Sequence, residues 1–286
     1  MDKLTYGIFF NKNSGDGSGK KIAEKLARVL KDHQQKSIML FADSVEAVIK
    51  KIISNLKKID ILVVIGGDGT LNIAVTALVQ SKIKKDIAVI PAGTVNNFAK
   101  RFGLAIGTDK AIENIADFSK QRKRRVGIAV CNENKAIVSS LTFGNLADIS
   151  NEVRQKDKQK FGKIVYIFKA IQHIGKNKSF LIRYVPDDGA EKNLKTWFAL
   201  ITTNNYIGGH KYIHSSPNKL HISLLNDIGP KQLLPYALFA LNGNLHRSKN
   251  VTHFEAERIV LTSKRAGITT RIDGDKGPKF PLKIDY

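Results

Sequence analysis

The chain has 286 residues, enough for one large domain or two ordinary ones, and 42% of them are apolar, so it can bury sizeable cores and is not a disordered chain. Against 25 Asp and Glu stand 47 Lys and Arg, a formal net charge of +22, which points to an anionic partner: nucleic acid, an anionic lipid surface or a phosphorylated small molecule. The single cysteine, Cys131, excludes a disulfide framework and a cysteine-rich zinc site. That usage fits a reducing, cytosolic compartment. No apolar run approaches the roughly 18 residues of a membrane-spanning helix. The N-terminal MDKLTYGIFFNKNSG has too short an apolar stretch for a signal peptide. The expectation is a cytoplasmic protein that at most lies on a membrane.

In chain order, Tyr6–Phe10 reads as a strand, followed by a loop at 11–19. Lys20–Lys31 places Ile22, Leu26, Val29 and Leu30 on one helical face. Ser37–Phe41 is a short strand, and Val45, Val48, Ile49, Ile52 and Ile53 have helical spacing through Leu56. Ile61–Ile65 is a continuous β-branched and apolar run, as in a strand buried on both faces. Gly66–Gly69 interrupts it, Leu71–Ser81 resumes as a helix, and Ile87–Ile90 is a strand ended by Pro91. This alternation predicts a parallel sheet with helices on both faces. After the basic stretch Lys120–Arg125 the texture changes. Val126–Val130, Ala136–Thr142, Phe180–Val185, Trp197–Thr203, Leu220–Leu225, Arg258–Thr262 and Ile268–Ile272 read as strands, with a helical insert at Phe161–Ile174. The prediction is an α/β domain over 1–125 and a mostly-β domain over 126–286.

Three loops carry the chemistry. Gly66, Gly67, Asp68, Gly69, Thr70, Leu71 and Asn72 follow a buried strand and open a helix. Glycines there let a backbone approach a ligand closely, and amides at a helix N-terminus favour anions, so the loop suits phosphate. Asp68 cannot cradle phosphate itself; it can hold Mg²⁺, directly or through water, or orient a hydroxyl. A plain Gly-Asp-Gly chain reversal is the alternative. Pro91–Ala92–Gly93–Thr94–Val95–Asn96–Asn97–Phe98 repeats the logic after the next strand, where Thr94 and the Asn pair can cap a helix or reach a nucleotide. The first loop, with Asn11, Ser14 and Gly15, is neither a Walker A loop nor GxGxxG, and offers a third phosphate contact.

With these loops in order, the chain resembles the diacylglycerol kinase catalytic-domain family, which includes bacterial soluble lipid kinases and is related to sphingosine and ceramide kinases. The family's NPxSG, GGDGTLNE and P-x-GT-x-N-D-F-A read here as NKNSG, GGDGTLN and PAGTVNNFA. The resemblance implies a Rossmann-like ATP-binding domain, a β-sandwich second domain of the NAD kinase/diacylglycerol kinase type and a cleft between them. It also implies transfer of the ATP γ-phosphoryl to a lipid hydroxyl with Mg²⁺. It assigns nucleotide contacts to Asn11, Ser14, Gly15, Gly66, Gly67, Asp68, Gly69, Thr70, Asn72, Gly93 and Thr94. The family's C-terminal DGE acid, held to deprotonate the lipid hydroxyl, falls at Asp273–Gly274–Asp275. Asp275, or Asp273, is then the base, and Asp68 organises the metal. Read from the residues alone, the same stretch places two carboxylates at a tight turn, where one could accept a hydroxyl proton, or is a plain hairpin turn.

The sequence departs from the family at Asp275 (for Glu), Asn97 (for Asp), Phe41 (for a Thr near the adenine) and Ile73 (for Glu). A structural-metal turn after Gly208–Gly209 is missing, so no second metal is expected. These departures keep open a nucleotide- and lipid-binding member with little catalysis; NAD kinase is disfavoured because PAGTVNNFA is not its motif. Residues 154–178 are basic and amphipathic, which suits either an anionic membrane or a cover over the β-domain. No nucleic-acid motif is present. The histidines, His210, His214 and His221 included, show no metal spacing. The expected partners are a lipid substrate and the anionic inner membrane surface, and family members are often homodimers.

Overall fold

The computed structural model describes residues 3–11, 17–93, 96–104, 107–117, 122–132, 134–145, 147, 179–203, 218–226 and 250–286, and the backbone of 206–207 and 210–211. The expected helix at Phe161–Ile174 and the basic stretch 154–178 lie outside the described residues, as do Ser14, Gly15, Thr94, Gly208, Gly209 and His214. By its contacts the chain divides into two units, Met1–Gly127 with Asn134–Val138, and Ile128–Glu133 with Ser139–Tyr286. The short return of 134–138 to the first unit was not legible in the sequence.

The first unit alternates strand and helix: β1 (Thr5–Phe10), α1 (Gly19–Asp32), β2 (Lys36–Leu40), α2 (Val45–Asn55), β3 (Ile61–Gly66), α3 (Asp68–Ser81), β4 (Asp86–Pro91), α4 (Asn97–Phe102) and α5 (Thr108–Ala116). The sheet runs β2–β1–β3–β4, with every neighbour parallel. All six residues of β3 are buried, as its unbroken apolar run requires. α1 buries Ala23, Leu26 and Leu30, spaced three and four apart on one face. These pack with Ile112 and Ile115 of α5 against Tyr6, Ile8, Phe10, Val63 and Ile65. α2 starts at Ser44, whose hydroxyl accepts from the Ala47 amide at 3.1 Å, an N-cap bond to the third helical residue.

The second unit is antiparallel. β5 (Ala129–Cys131) precedes β6 (Lys135–Ile137), which groups with the first unit. Then come β7 (Ser140–Gly144), β8 (Phe180–Pro186), β9 (Lys192–Thr196), β10 (Phe198–Thr202), β11 (Tyr206–Ile207), β12 (His210–Lys211), β13 (Leu220–Leu225), β14 (Val251–Ala256), β15 (Arg258–Thr262), β16 (Thr270–Ile272), β17 (Asp275–Lys276) and β18 (Leu282–Asp285). One sheet runs β14–β13–β10–β7–β16–β17, and the other contains β5–β18–β15–β8–β9. Their apolar faces meet: Tyr184 stacks on Phe254 at 5.3 Å between centroids, and Phe143 lies 6.5 Å from Phe180. This is a sandwich.

Two expectations are corrected here. Ala136–Thr142 is not one strand; the chain breaks at Val138–Ser139, where the Asp273 carboxylate accepts the amides of both Ser139 and Ser140 at 2.8 Å. The strand expected at Val126–Val130 is β5, three residues further on. Residues 122–128 are in no helix or strand, and Arg122, Lys123, Arg124 and Arg125 are exposed. Exposed, unpaired backbone is where proteases cut folded chains. Brief trypsin treatment is expected to cleave within 122–125, read by mass spectrometry of the fragments; native protein that keeps this stretch intact would contradict the assignment.

Candidate functional site

The order β2–β1–β3–β4 reverses between β1 and β3: the chain moves outward from β1 to β2, then returns to the other side. In open parallel sheets, ligands bind beyond the strand C-termini at such a switch point. Register sets what stands there. Phe10 pairs with Ile65 and Gly66 with Pro91, so β1, β3 and β4 end level. Asn11, Gly66–Gly67 and Gly93 therefore share one edge of the sheet.

The two glycine loops touch through their backbones. A Cβ on Gly93 would lie 2.5 Å from the Gly67 Cα and 2.7 Å from the Asn96 side-chain oxygen. A Cβ on Gly66 would lie 2.4 Å from the Thr70 hydroxyl. Asn96 closes the second loop on itself. Its Oδ1 accepts from the Gly93 amide at 3.1 Å and its Nδ2 donates to the Gly93 carbonyl at 2.7 Å. Its left-handed backbone, φ 52°, is one that asparagine tolerates. Asp68 then joins the loops: its carboxylate accepts from the Asn97 amide at 2.9 Å and the Phe98 amide at 3.0 Å, the first two residues of α4.

These bonds distribute anion-binding capacity unevenly. The start of α4 is capped by Asp68. The N-cap of α3 is Gly67, which has no side chain with which to cap that helix. At the start of α3, backbone amides and the helix dipole favour negative charge. Gly69 and Thr70 lie in that first turn. Asn72, one turn further, donates its amide to the Ala136 carbonyl, while the Thr76 hydroxyl accepts from the Ala136 amide at 3.2 Å. Asn72 thus ties the returning segment 134–138 to α3.

Beyond the β1 and β2 termini, a cavity of about 160 Å³ is lined by Phe10, Lys20, Glu24, Met39 and Phe41. Phe41 stands 5.5 Å from Phe10 between centroids, and the Lys51 ammonium lies 5.0 Å over its ring and donates to its carbonyl at 3.1 Å. The sequence marked Phe41 only as a departure. Its aromatic pairing and its lysine come from elements distant in sequence, which no local pattern could indicate.

In the second unit, Ile272 pairs with Asp275 across a two-residue turn. Asp273 and Gly274 both have positive φ, 50° and 96°, as a type I′ hairpin requires. Besides holding Ser139 and Ser140 through its side chain, Asp273 donates its own amide to the Ser140 carbonyl at 2.8 Å. Asp275 is exposed at the start of β17. The two candidate bases therefore differ in burial and setting: the Asp273 carboxylate holds two backbone amides, and Asp275 is an exposed residue. His221 is buried, with Nδ1 3.3 Å from the Glu255 carboxylate.

A glycine-lined helix start at the switch point of a parallel sheet, followed in the chain by an antiparallel sandwich, is the arrangement of the α/β-plus-β kinase class. Residues 5–129 match the diacylglycerol kinase catalytic domain, and the chain is similar to lipid phosphotransferases of that family. A diacylglycerol kinase of Staphylococcus saprophyticus is 24% identical over 225 residues, covering 78% of this chain and 72% of that protein. Among solved structures, a diacylglycerol kinase of Bacillus anthracis superposes with TM-score 0.71 at 17% identity, over 99% of this chain and 93% of that one. An NAD kinase of Archaeoglobus fulgidus in complex with ATP gives 0.54 at 14%, over 98% and 89%. At these identities the two structures speak for the fold alone.

The Gly93 contact makes a prediction. Gly93→Ala forces a methyl into the Gly67 backbone, and such overpacking costs about 1–3 kcal/mol or more. Urea unfolding should register a loss of that size; an unchanged midpoint would show that the loops do not touch.

Proposed function

We propose that the chain is an ATP- and Mg²⁺-dependent lipid kinase that transfers the γ-phosphoryl group of ATP to a lipid hydroxyl, with diacylglycerol as the acceptor, at the cytoplasmic face of a membrane. The observation that carries this is the pair of interlocked glycine loops at the switch point, in a chain whose residues 5–129 match the diacylglycerol kinase catalytic domain. The start of α3 fits the nucleotide phosphates, since its N-cap, Gly67, has no side chain to offer. The aromatic cavity at Phe41 fits the flat base.

Among the described residues no cluster of three or more His, Cys, Asp or Glu could hold a metal by itself. This agrees with Mg²⁺ arriving on the nucleotide, leaning on one or two carboxylates plus phosphate oxygens. Asp68 is the residue that would hold it, through water, using the lone pairs left by its two amide bonds. Bound there, Mg²⁺ offsets phosphate charge during transfer. Asp275 accepts the proton of the lipid hydroxyl as its oxygen forms the bond to the γ-phosphorus and ADP leaves. Asp273 is a positioning residue: it fixes to the start of β7 the turn that precedes Asp275.

Asp275→Asn is expected to lower turnover by about 10²–10⁴-fold, the usual worth of a general base, without changing ATP affinity. Asp275→Glu keeps the acid and should retain turnover. Radiolabelled ATP with a lipid extract, its product identified by mass spectrometry, tests the acceptor. The shorter Asp275 and the engaged Asp68 favour a second reading, a nucleotide- and lipid-binding protein with little catalysis. ATP binding with no labelled lipid would establish that reading and remove the first.

A further inference from the structure

The sheet containing β18, β15, β8 and β9 has one face in the sandwich and one outside. Along β8, Phe180, Ile182 and Tyr184 are buried, whereas Leu181 and Arg183 are exposed. Leu181 is 55% exposed; the other large apolar side chain so open among the described residues is Val45, at 46%. A lone exposed leucine is ordinary. The surroundings of Leu181 are not. Lys195 of β9 is its cross-strand partner, so both side chains stand on the same face. The Ser263 hydroxyl donates to the Leu181 carbonyl at 2.8 Å and accepts from the Arg265 amide at 3.2 Å, which brings Lys264 and Arg265 beside the leucine. The Arg265 guanidinium lies 5.1 Å from the Phe180 ring centre. Lys195, Lys264 and Arg265 are all exposed.

No acidic residue occurs in 179–186, 192–203 or 258–272, the segments that build this end of the sheet. Among the described residues, the acids of these four strands lie at the opposite end. Asp187 and Asp188 follow β8, Glu191 precedes β9 and Asp285 closes β18. There Arg183, Arg258 and Lys283 meet Glu191, Asp285 and Asp285 at 3.8, 2.6 and 4.0 Å. One end of the face is thus cationic around a protruding leucine, and the other is neutralised by ion pairs.

We infer that the Leu181 end of this sheet is the surface on which the chain rests against an anionic phospholipid bilayer. Leu181 enters the interface while Lys195, Lys264 and Arg265 meet lipid phosphates. Charge complementarity selects the occupant: each Lys or Arg near such a surface strengthens binding by about fivefold, and an apolar side chain among them gains by entering the acyl boundary. Single-stranded nucleic acid fits less well, because its bases stack on exposed aromatic rings, and Phe180 is buried here at 5%. The acidic end turns from the same membrane, which fixes an orientation.

The test uses the chain's one cysteine, Cys131, which is buried. Leu181→Cys can therefore carry a single environment-sensitive fluorophore, with Asp188→Cys, 97% exposed at the acidic end, as control. On vesicles of phosphatidylcholine with about one-third phosphatidylglycerol, the emission at 181 should shift to the blue and the emission at 188 should not. The shift should vanish on pure phosphatidylcholine. Reversing Lys195, Lys264 and Arg265 to Glu should weaken sedimentation with anionic vesicles by about 10²-fold, and reversing Lys57, Lys58 and Lys84 by far less. The inference is overturned if the 181 probe stays aqueous while the protein sediments, if the two triple variants lose equally, or if single-stranded RNA shifts the probe as vesicles do. No ATP is added, so a chain inactive as a kinase can still pass, and a working kinase that docks elsewhere fails.

Discussion

The Asp68 carboxylate makes the interaction on which the glycine-loop edge of the sheet depends. It sits in the first turn of α3 and accepts the first two amides of α4, so one side chain couples the loop after β3 to the loop after β4. A carboxylate accepting two amides makes strong, charge-assisted bonds, and its negative charge complements the dipole of α4. Two glycines make this coupling possible, since side chains at 67 and 93 would hold the loops apart. The consequence is a choice between two neighbouring helix starts. The protein fills one with its own anion, while the N-cap of the other, Gly67, has no side chain to offer.

The same device recurs where the second unit reverses its chain. Asp187, in a left-handed conformation, accepts the amides of Glu257 and Arg258 at 2.8 and 3.0 Å. Asp273, also left-handed, accepts those of Ser139 and Ser140. In each case a short acid replaces a missing strand pairing with two bonds to consecutive amides. This separates the two acids of the 272–275 hairpin by physics rather than by position. Asp273 is bound by three backbone hydrogen bonds and cannot reorient without freeing β7 from the turn. Asp275, on the far side of the glycine, is an exposed residue on a backbone that Asp273 has made rigid.

Much of the fold was legible in local pattern. The unbroken ILVVI run marks the central strand, and β13 and β15 have the bounds that their apolar residues suggest. Local pattern fails where distant residues decide. The stretch from Ala136 to Thr142 reads as one strand because every residue in it suits a strand; the break at Ser139 is set by Asp273, 134 residues away. β9, KNLKT, is an edge strand exposed at three of five positions, so it carries no alternation to detect. At the site, the glycines and the start of α3 were legible because close backbone approach needs glycine. The hydrogen-bond partners of Asp68 and Asn72 were not. GGDGTLN says that an acid and an amide are present, but the amides of α4 and the carbonyl of Ala136 take up both side chains from other parts of the chain.

Net charge raises the same question of local against distant. A sum of +22 counts each lysine wherever it stands, whereas a partner within a Debye length of about 8–10 Å sees only the arrangement in front of it. On the outer face of the β15–β8–β9 sheet, identical residue types have opposite standing at the two ends. Arg258 is held by Asp285 and Asp188, which keep its guanidinium even more firmly protonated than usual and offset its charge at the surface. Lys195 and Lys264 project from segments without a single acid. Strand register creates the difference, by aligning the loop ends that carry Asp187, Glu191 and Asp285 on one side and the acid-free turn after Thr262 on the other. A basic composition becomes a directional surface only once the sheet has sorted its charges in this way.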